Sequence, residues 1–485
     1  MSRVSDQIHA GNVEYQRVGK DYLEHRSLKR GAAGWVLLAG LGVSYVISGD
    51  FAGWNYGLGQ GGWGGLLIAT VLMAVMYTCM VYGLAELSSA MPVAGAGYGF
   101  VRRAMGPLGG FATGTAILIE YAIAPAAIAV FIGGYVEALG LFGLTSGWPV
   151  FLAAYAIFIG IHLWGVGEAL RLMFVITGLA LVALAVFVVG MIGKFDVDNL
   201  FDIPMTEAFG ASSFLPFGVA GVWAALVFAI WFFLAIEGVP LAAEEARDPA
   251  KDMPKGIIVG MLVLLATAAM ILVLAPGGAG ALALQESDNP LPHALREAYG
   301  GGSFLADFVN YVGLAGLIAS FFSIIYAYSR QLFALSRAGY LPRWLSVTGK
   351  RRTPYLALIV PGTVGFALAS ITQAGDLMIQ IAVFGATVSY VLMMVAHIVL
   401  RKREPDLARP YRTPGGIVTT SVALVLAVAA VIAVFLVDLI AAAIVAGIFV
   451  AALAYFWFYS RHRLVAQAPE EEFAAIQAAE AELAD

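Results

Sequence analysis

The sequence predicts an all-α polytopic membrane protein of about twelve transmembrane helices, and three observations carry that prediction. Of 485 residues, 61% are hydrophobic and only 12% are charged, roughly half the charged fraction of a soluble domain. The apolar residues gather in runs long enough to span a bilayer, which takes about 20 residues. The basic residues between those runs fall almost entirely on one side.

The chain opens with residues 1–32, expected as an aqueous tail. It holds Arg3, Asp6, Glu14, Arg17 and Lys20 and no apolar stretch, so it does not read as a signal peptide. Apolar runs then fall near residues 33–57, 63–89, 109–139, 149–166, 170–193, 216–242, 255–276, 304–335, 354–373, 376–400, 416–436 and 439–460. The organisation expected is a ten-helix core over 33–400, two additional helices over 401–460 and an acidic tail over 461–485. That tail, with Glu470, Glu471, Glu472, Glu480, Glu482 and Asp485, accounts for the net charge of −5 and is expected to be solvated.

Twelve spans place both ends on one side. Of the 27 Lys and Arg, all but Lys194 and Arg296 then share that side. The positive-inside rule makes it the cytoplasm, which predicts a multi-pass plasma (inner) membrane protein with both termini cytoplasmic. A single cysteine, Cys79, excludes a disulfide framework. His162 and His397 have no neighbours at metal-ligand spacing, so no metal or cofactor is expected. The glycine runs Gly57–Gly65 and Gly300–Gly302 follow no strand and precede no lysine, so they read as turns or close-packing sites. No basic arm suggests nucleic acid, and no nucleophile–base pair suggests an enzyme.

Span one is broken by Ser48-Gly49-Asp50-Phe51-Ala52-Gly53, and span six by Glu237-Gly238-Val239-Pro240. Glycine weakens a helix and proline removes a backbone donor. Non-helical backbone at membrane depth is tolerated only where it is buried in protein or lines a cavity. The two breaks open successive five-helix sets, and such matched interruptions point to a transport site.

Three acidic residues fall near mid-span: Asp50, Glu120 and Glu237. Glu120 is about eleven residues into span three, roughly 16 Å deep. An intramembrane carboxylate is a functional position by default. With no basic residue at similar depth, each takes a proton or attracts a cation. Trp231 and Phe232 crowd the span-six break, and Tyr121 follows Glu120. Aromatic faces there can flank an ammonium.

Several segments resemble the amino acid–polyamine–organocation transporter superfamily. These are Ala85-Glu86-Leu87-Ser88-Ser89-Ala90-Met91-Pro92, Ala243-Glu244-Glu245-Ala246-Arg247-Asp248-Pro249 and Ser336-Arg337-Ala338-Gly339-Tyr340-Leu341-Pro342. Within it, Ile47-Ser48-Gly49-Asp50-Phe51, Ile119-Glu120-Tyr121 and Asp307-Phe308-Val309-Asn310-Tyr311 are most similar to ethanolamine permeases. The resemblance implies a five-plus-five inverted-repeat core with broken helices one and six. It also implies a substrate held between spans one, three, six and eight.

On that basis the expected substrate-binding residues are Ser48, Gly49, Asp50, Phe51, Glu120, Tyr121, Trp231, Phe232, Glu237 and Gly238. Glu120, Glu237 and Asp50 are the candidates for proton coupling. In amino acid carriers of this type the span-one break presents free N–H groups to the substrate carboxylate. Asp50 at that break is expected to repel a carboxylate and to favour a small amine, ethanolamine above others. The expected activity is uptake by alternating access, as proton symport or driven by the membrane potential, worth ~2.3 kcal/mol per charge per 100 mV. An amino acid symporter or exchanger is the alternative, and a cation channel a remote one.

Overall fold

The computed structural model describes residues 7–10, 13–16, 18, 20–26, 31, 33–93, 95–140, 143–301, 304–469 and 471. Among them, ten helices are long and apolar enough to cross a bilayer, and two shorter apolar ones join them, Trp35–Phe51 and Trp148–Trp164. The spans are one, Trp35–Val46 continued by Ser48–Phe51; two, Tyr56–Ala90; three, Gly97–Ala138; and four, Trp148–Trp164. Then come five, Val166–Ile192; six, Gly218–Trp231, followed by a 3-10 segment Ile236–Glu245; seven, Pro249–Ala279; and eight, Phe304–Arg337. Nine is Tyr355–Thr372, ten Gly375–Arg403, eleven Ile417–Val437 and twelve Leu439–Phe458. The chain is thus an all-α polytopic membrane protein with helices one and six broken, as the sequence predicts.

Span three is two pieces. Gly106 has φ +83°, and Pro107 follows it. The first piece, before Gly106, carries Arg102 and Arg103 along the face on which the described parts of both tails lie. On the opposite face the two long loops fold into short helices, Asp198–Phe201, Ala281–Leu284 and Pro290–Tyr299. The second of these loops ties down the end of span one on that face: Asn55 Nδ2 donates to Leu284 O (2.7 Å) and Ser287 O (2.8 Å).

The described parts of the two tails are not solvated strings. Strand β1 (Gln7–Ala10) pairs antiparallel with β2 (Val13–Gln16), and β3 (Leu464–Val465) adds in parallel to β2. In β2, Val13 and Tyr15 are buried while Glu14 and Gln16 are half-buried, the period of a one-sided strand. Val465 N–H donates to Ala338 O (2.9 Å) and Ser460 Oγ to Tyr340 O (2.6 Å), which docks the sheet on the end of span eight.

Glu471 was expected in a solvated acidic tail but is fully buried. It accepts from Tyr15 (2.9 Å), Tyr340 (2.8 Å) and Arg102 Nε (2.8 Å). Burial and the adjacent Glu471 carboxylate push the Tyr15 phenol above its usual range, so it stays a donor. The remaining acidic residues of that tail lie outside the described residues.

Candidate functional site

The break in span one is a real interruption of the hydrogen-bond ladder. Ile47 N–H closes the last regular turn on Val43 O (2.9 Å), and Asp50 N–H reaches back only to Ile47 O (3.1 Å). Ser48 and Gly49 open the second, four-residue piece, Ser48–Phe51. The N–H groups at the start of a helical segment favour an anion. The carbonyls at the other end of the segment are satisfied by side chains: Tyr135 donates to Phe51 O (2.9 Å) and Trp231 Nε1 to Ala52 O (2.9 Å).

Successive residues of the broken segment face different spans, as the ~100° step of a helix requires. Ser48 Oγ meets Ser320 Oγ of span eight at 2.8 Å. Gly49 lies on the backbone of span six, so closely that a Cβ would sit 2.5 Å from Trp231 O. Asp50 turns to span seven, beside Thr267, whose hydroxyl donates to Leu264 O (3.2 Å). Both Asp50 carboxyl oxygens are buried without a hydrogen bond. Phe51 packs its ring on Gly313 and Gly316 of span eight.

The break in span six turns at Ala235, which has φ +78°, and Glu237 is the second residue of the 3-10 segment beyond it. Glu237 is nearly inaccessible (4%) and Glu120 wholly so. Tyr121 donates to Glu237 Oε1 (3.0 Å), and Tyr390 of span ten donates to Oε2 (3.0 Å). Tyr390 is in turn joined to Tyr77 of span two (3.0 Å). The Glu120 carboxyl lies beside that of Glu237, yet neither of its oxygens has a hydrogen bond. Gly238 leaves room for the cluster: a Cβ there would approach the Tyr121 hydroxyl to 3.0 Å and the Tyr45 ring to 3.2 Å. The Tyr45 hydroxyl is buried and unpartnered.

The structure therefore brings Glu120, Tyr121, Glu237 and Gly238 together and sets Ser48 and Gly49 at the neighbouring break. Asp50 is not part of that cluster. One residue's rotation carries its side chain away from Ser48 and Gly49 to span seven, beside Thr267. Trp231 and Phe51 hold the break's shape, and Phe232 stacks on Trp54 (5.7 Å). Tyr77 and Tyr390 were missed in the sequence, where a tyrosine within an apolar run looks like any packing aromatic. Their only signal is that a buried phenol needs a partner.

Other carboxylates are paired. Glu86 accepts from Arg401 Nε (2.9 Å) and Thr413 N–H (2.7 Å) and forms an ion pair with Arg409 at 3.0 Å. Arg330 and Glu245 pair at 3.0 Å with both side chains fully buried, and Arg337 reaches Glu244 at 2.7 Å. Glu86, Glu244, Glu245 and Arg337 lie in the segments that carry the superfamily resemblance, and here they pin helix ends together.

Residues 34–465 match the amino acid permease family. An uncharacterised transporter of Rhizobium meliloti is 31% identical over 82% of this chain and 85% of its own length. The branched-chain amino acid permease BcaP of Bacillus subtilis is 29% identical over 72% and 77%. A methylthioribose transporter of the same organism is 26% identical over 77% and 80%. The chain belongs to the amino acid permease family, and is a transporter rather than an enzyme.

Proposed function

We propose that this permease carries an amino acid across the plasma membrane by alternating access, with a proton taken by the Glu120–Glu237 pair. The observation that carries this reading is the break at Ile47, which sets the start of the Ser48–Phe51 segment within a turn of Tyr45, whose ring lies against Gly238 beside Glu237. A substrate carboxylate fits the N–H groups at that start, and its ammonium fits the acidic side. Ethanolamine was expected because Asp50 would repel a carboxylate at the break. With Asp50 turned to span seven, that reason is gone, and the amino acid alternative stands ahead. The branched-chain permease among the relatives supports a small apolar side chain.

Two neighbouring carboxylates about 4 Å apart would repel by about 4 kcal/mol at an effective dielectric near 20. A proton or a substrate ammonium between them removes that repulsion. One carboxyl for each gives a stoichiometry of one proton per amino acid. The basic residues on the terminal face support a cytoplasmic location for both chain ends. The ten helices of 33–400 form the moving core, with spans eleven and twelve beside it.

The test is uptake of labelled leucine, alanine and ethanolamine by purified protein in liposomes, under an imposed proton gradient at clamped potential. Amino acid uptake accelerated by the inward gradient is the expected result. Saturable ethanolamine uptake that excess amino acid fails to inhibit would return the reading to an amine carrier. Amino acid uptake indifferent to the proton gradient removes the coupling role of the pair.

A further inference from the structure

A groove of about 910 Å³ runs along the outside of the core between spans three, nine, ten and twelve. Its walls include Leu118, Ala122, Val364, Leu368, Ile381 and Ile448, and almost nothing polar. From Phe111 to Ile123 it follows span three for about 18 Å at the helical rise, close to the ~15 Å of one leaflet's hydrocarbon. At the terminal face it meets a second pocket of about 390 Å³. Leu341, Pro342 and Tyr455 line both.

The second pocket has a different chemistry. Arg343, Arg463, Trp344 and Tyr459 line it, and no acidic residue does among the described residues. The Arg343 guanidinium donates to Gln16 Oε1 (2.7 Å) and Arg463 O (2.9 Å). Arg463 lies over the Tyr459 ring at 4.3 Å and donates to its hydroxyl. Neither arginine has a carboxylate partner among the described residues, unlike the paired Arg102, Arg330 and Arg401. Where the two pockets meet, the Tyr455 hydroxyl has no hydrogen bond. Trp344, half exposed at 54%, and Tyr459 are residues of the kind found at headgroup level.

We propose that this composite groove is a binding site for one anionic phospholipid of the leaflet on the terminal face. The acyl chain lies along spans three, nine, ten and twelve. The phosphate sits between Arg343 and Arg463, with the Tyr455 hydroxyl donating to an ester or phosphate oxygen. An apolar groove alone would take any tail. The two uncompensated arginines at its mouth select the anionic headgroup, since each basic residue near the surface favours an anionic lipid about five-fold. The groove touches Ile119, next to Glu120, so its occupant packs on the helix that carries the central carboxyl pair.

The experiment is native mass spectrometry of delipidated protein titrated with phosphatidylglycerol or with phosphatidylcholine of the same acyl chains. The expected result is one saturable phosphatidylglycerol, bound at least about ten-fold more tightly than phosphatidylcholine. In Arg343→Gln/Arg463→Gln the preference should fall to near one while tail binding persists. Ala451→Trp, on the groove wall, should weaken both lipids. Arg343 also holds Gln16, so Arg463→Gln alone serves if the double variant is unstable, since among the described residues the Arg463 guanidinium bonds to Tyr459 and to no other side chain; it should lose about five-fold. Equal binding of the two lipids by the parent overturns the proposal. So does a preference that survives removal of the arginines, or a groove that still binds with tryptophan at position 451.

Discussion

Buried carboxylates occur in two regions of this protein, and they are treated in opposite ways. At the terminal face Glu86, Glu245 and Glu471 are each at most 1% exposed, and each meets an arginine. At the centre Glu120 and Glu237 are also buried; among the described residues only tyrosine hydroxyls hydrogen-bond Glu237, and nothing hydrogen-bonds Glu120. The first group is complete within the chain and ties its helices together. The second is incomplete: something outside the chain, a proton or a substrate amine, has to finish it. Depth alone does not separate structure from function here; the source of the compensating charge does.

The sharpest way to break this comparison is at Arg330. Arg330→Ala leaves Glu245 as an unpaired charge in a dry site, which typically costs about 3–5 kcal/mol. The variant should be largely lost from membranes or melt far below the parent in detergent. Parent-like melting would mean the terminal-face pairs are not structural. The mirror experiment is Glu237→Gln, which should fold and melt like the parent because the amide keeps an oxygen for one tyrosine. Its uptake should fall by roughly 10–100-fold, as expected for a lost charged hydrogen bond. If uptake survives, the centre is as structural as the rim.

Tyr390→Phe is the finer probe. It removes one of the two hydroxyls on Glu237, and about 1 kcal/mol predicts roughly a five-fold loss of transport. An unchanged rate, with the proton dependence also unchanged, would show that Tyr121 alone orients the carboxyl. The smallest effect is expected at Asp50. Asp50→Asn removes a carboxyl that faces Thr267 and not the break, so uptake and the preference among amino acids should stay within about two-fold of the parent. Selectivity that shifts towards carboxylates in this variant would restore Asp50 to the substrate site.

Much of this was legible in the sequence because the bilayer makes the signals strong. Twelve apolar runs, two breaks and the basic bias follow from length and charge. Glu120 and Glu237 stand out because a carboxyl at that depth is rare. The facing of Asp50 was not legible. Position along a helix says how deep a residue lies, but its direction depends on where the ladder slips, here at Ile47. Tyr77 and Tyr390 were hidden for a related reason: their importance comes from spans two and ten meeting at Glu237, which no local pattern records. The terminal sheet was missed because Val13-Glu14-Tyr15-Gln16 shows its alternation over only four residues, too short to read without β3 beside it.

That sheet has a consequence for biogenesis. Tyr15 and Glu471 are separated by 456 positions, so one half of their hydrogen bond is made at the start of translation and the other near its end. At ribosomal speeds of about 5–20 residues per second the gap is roughly 20–90 s. All twelve helices have to be threaded into the bilayer before β3 can reach β2. Closure of the sheet therefore reports that the whole chain has been inserted with both ends on the same side. A product with one helix misrouted would leave the β1–β2 hairpin without its third strand, marked for quality control by an unpaired edge.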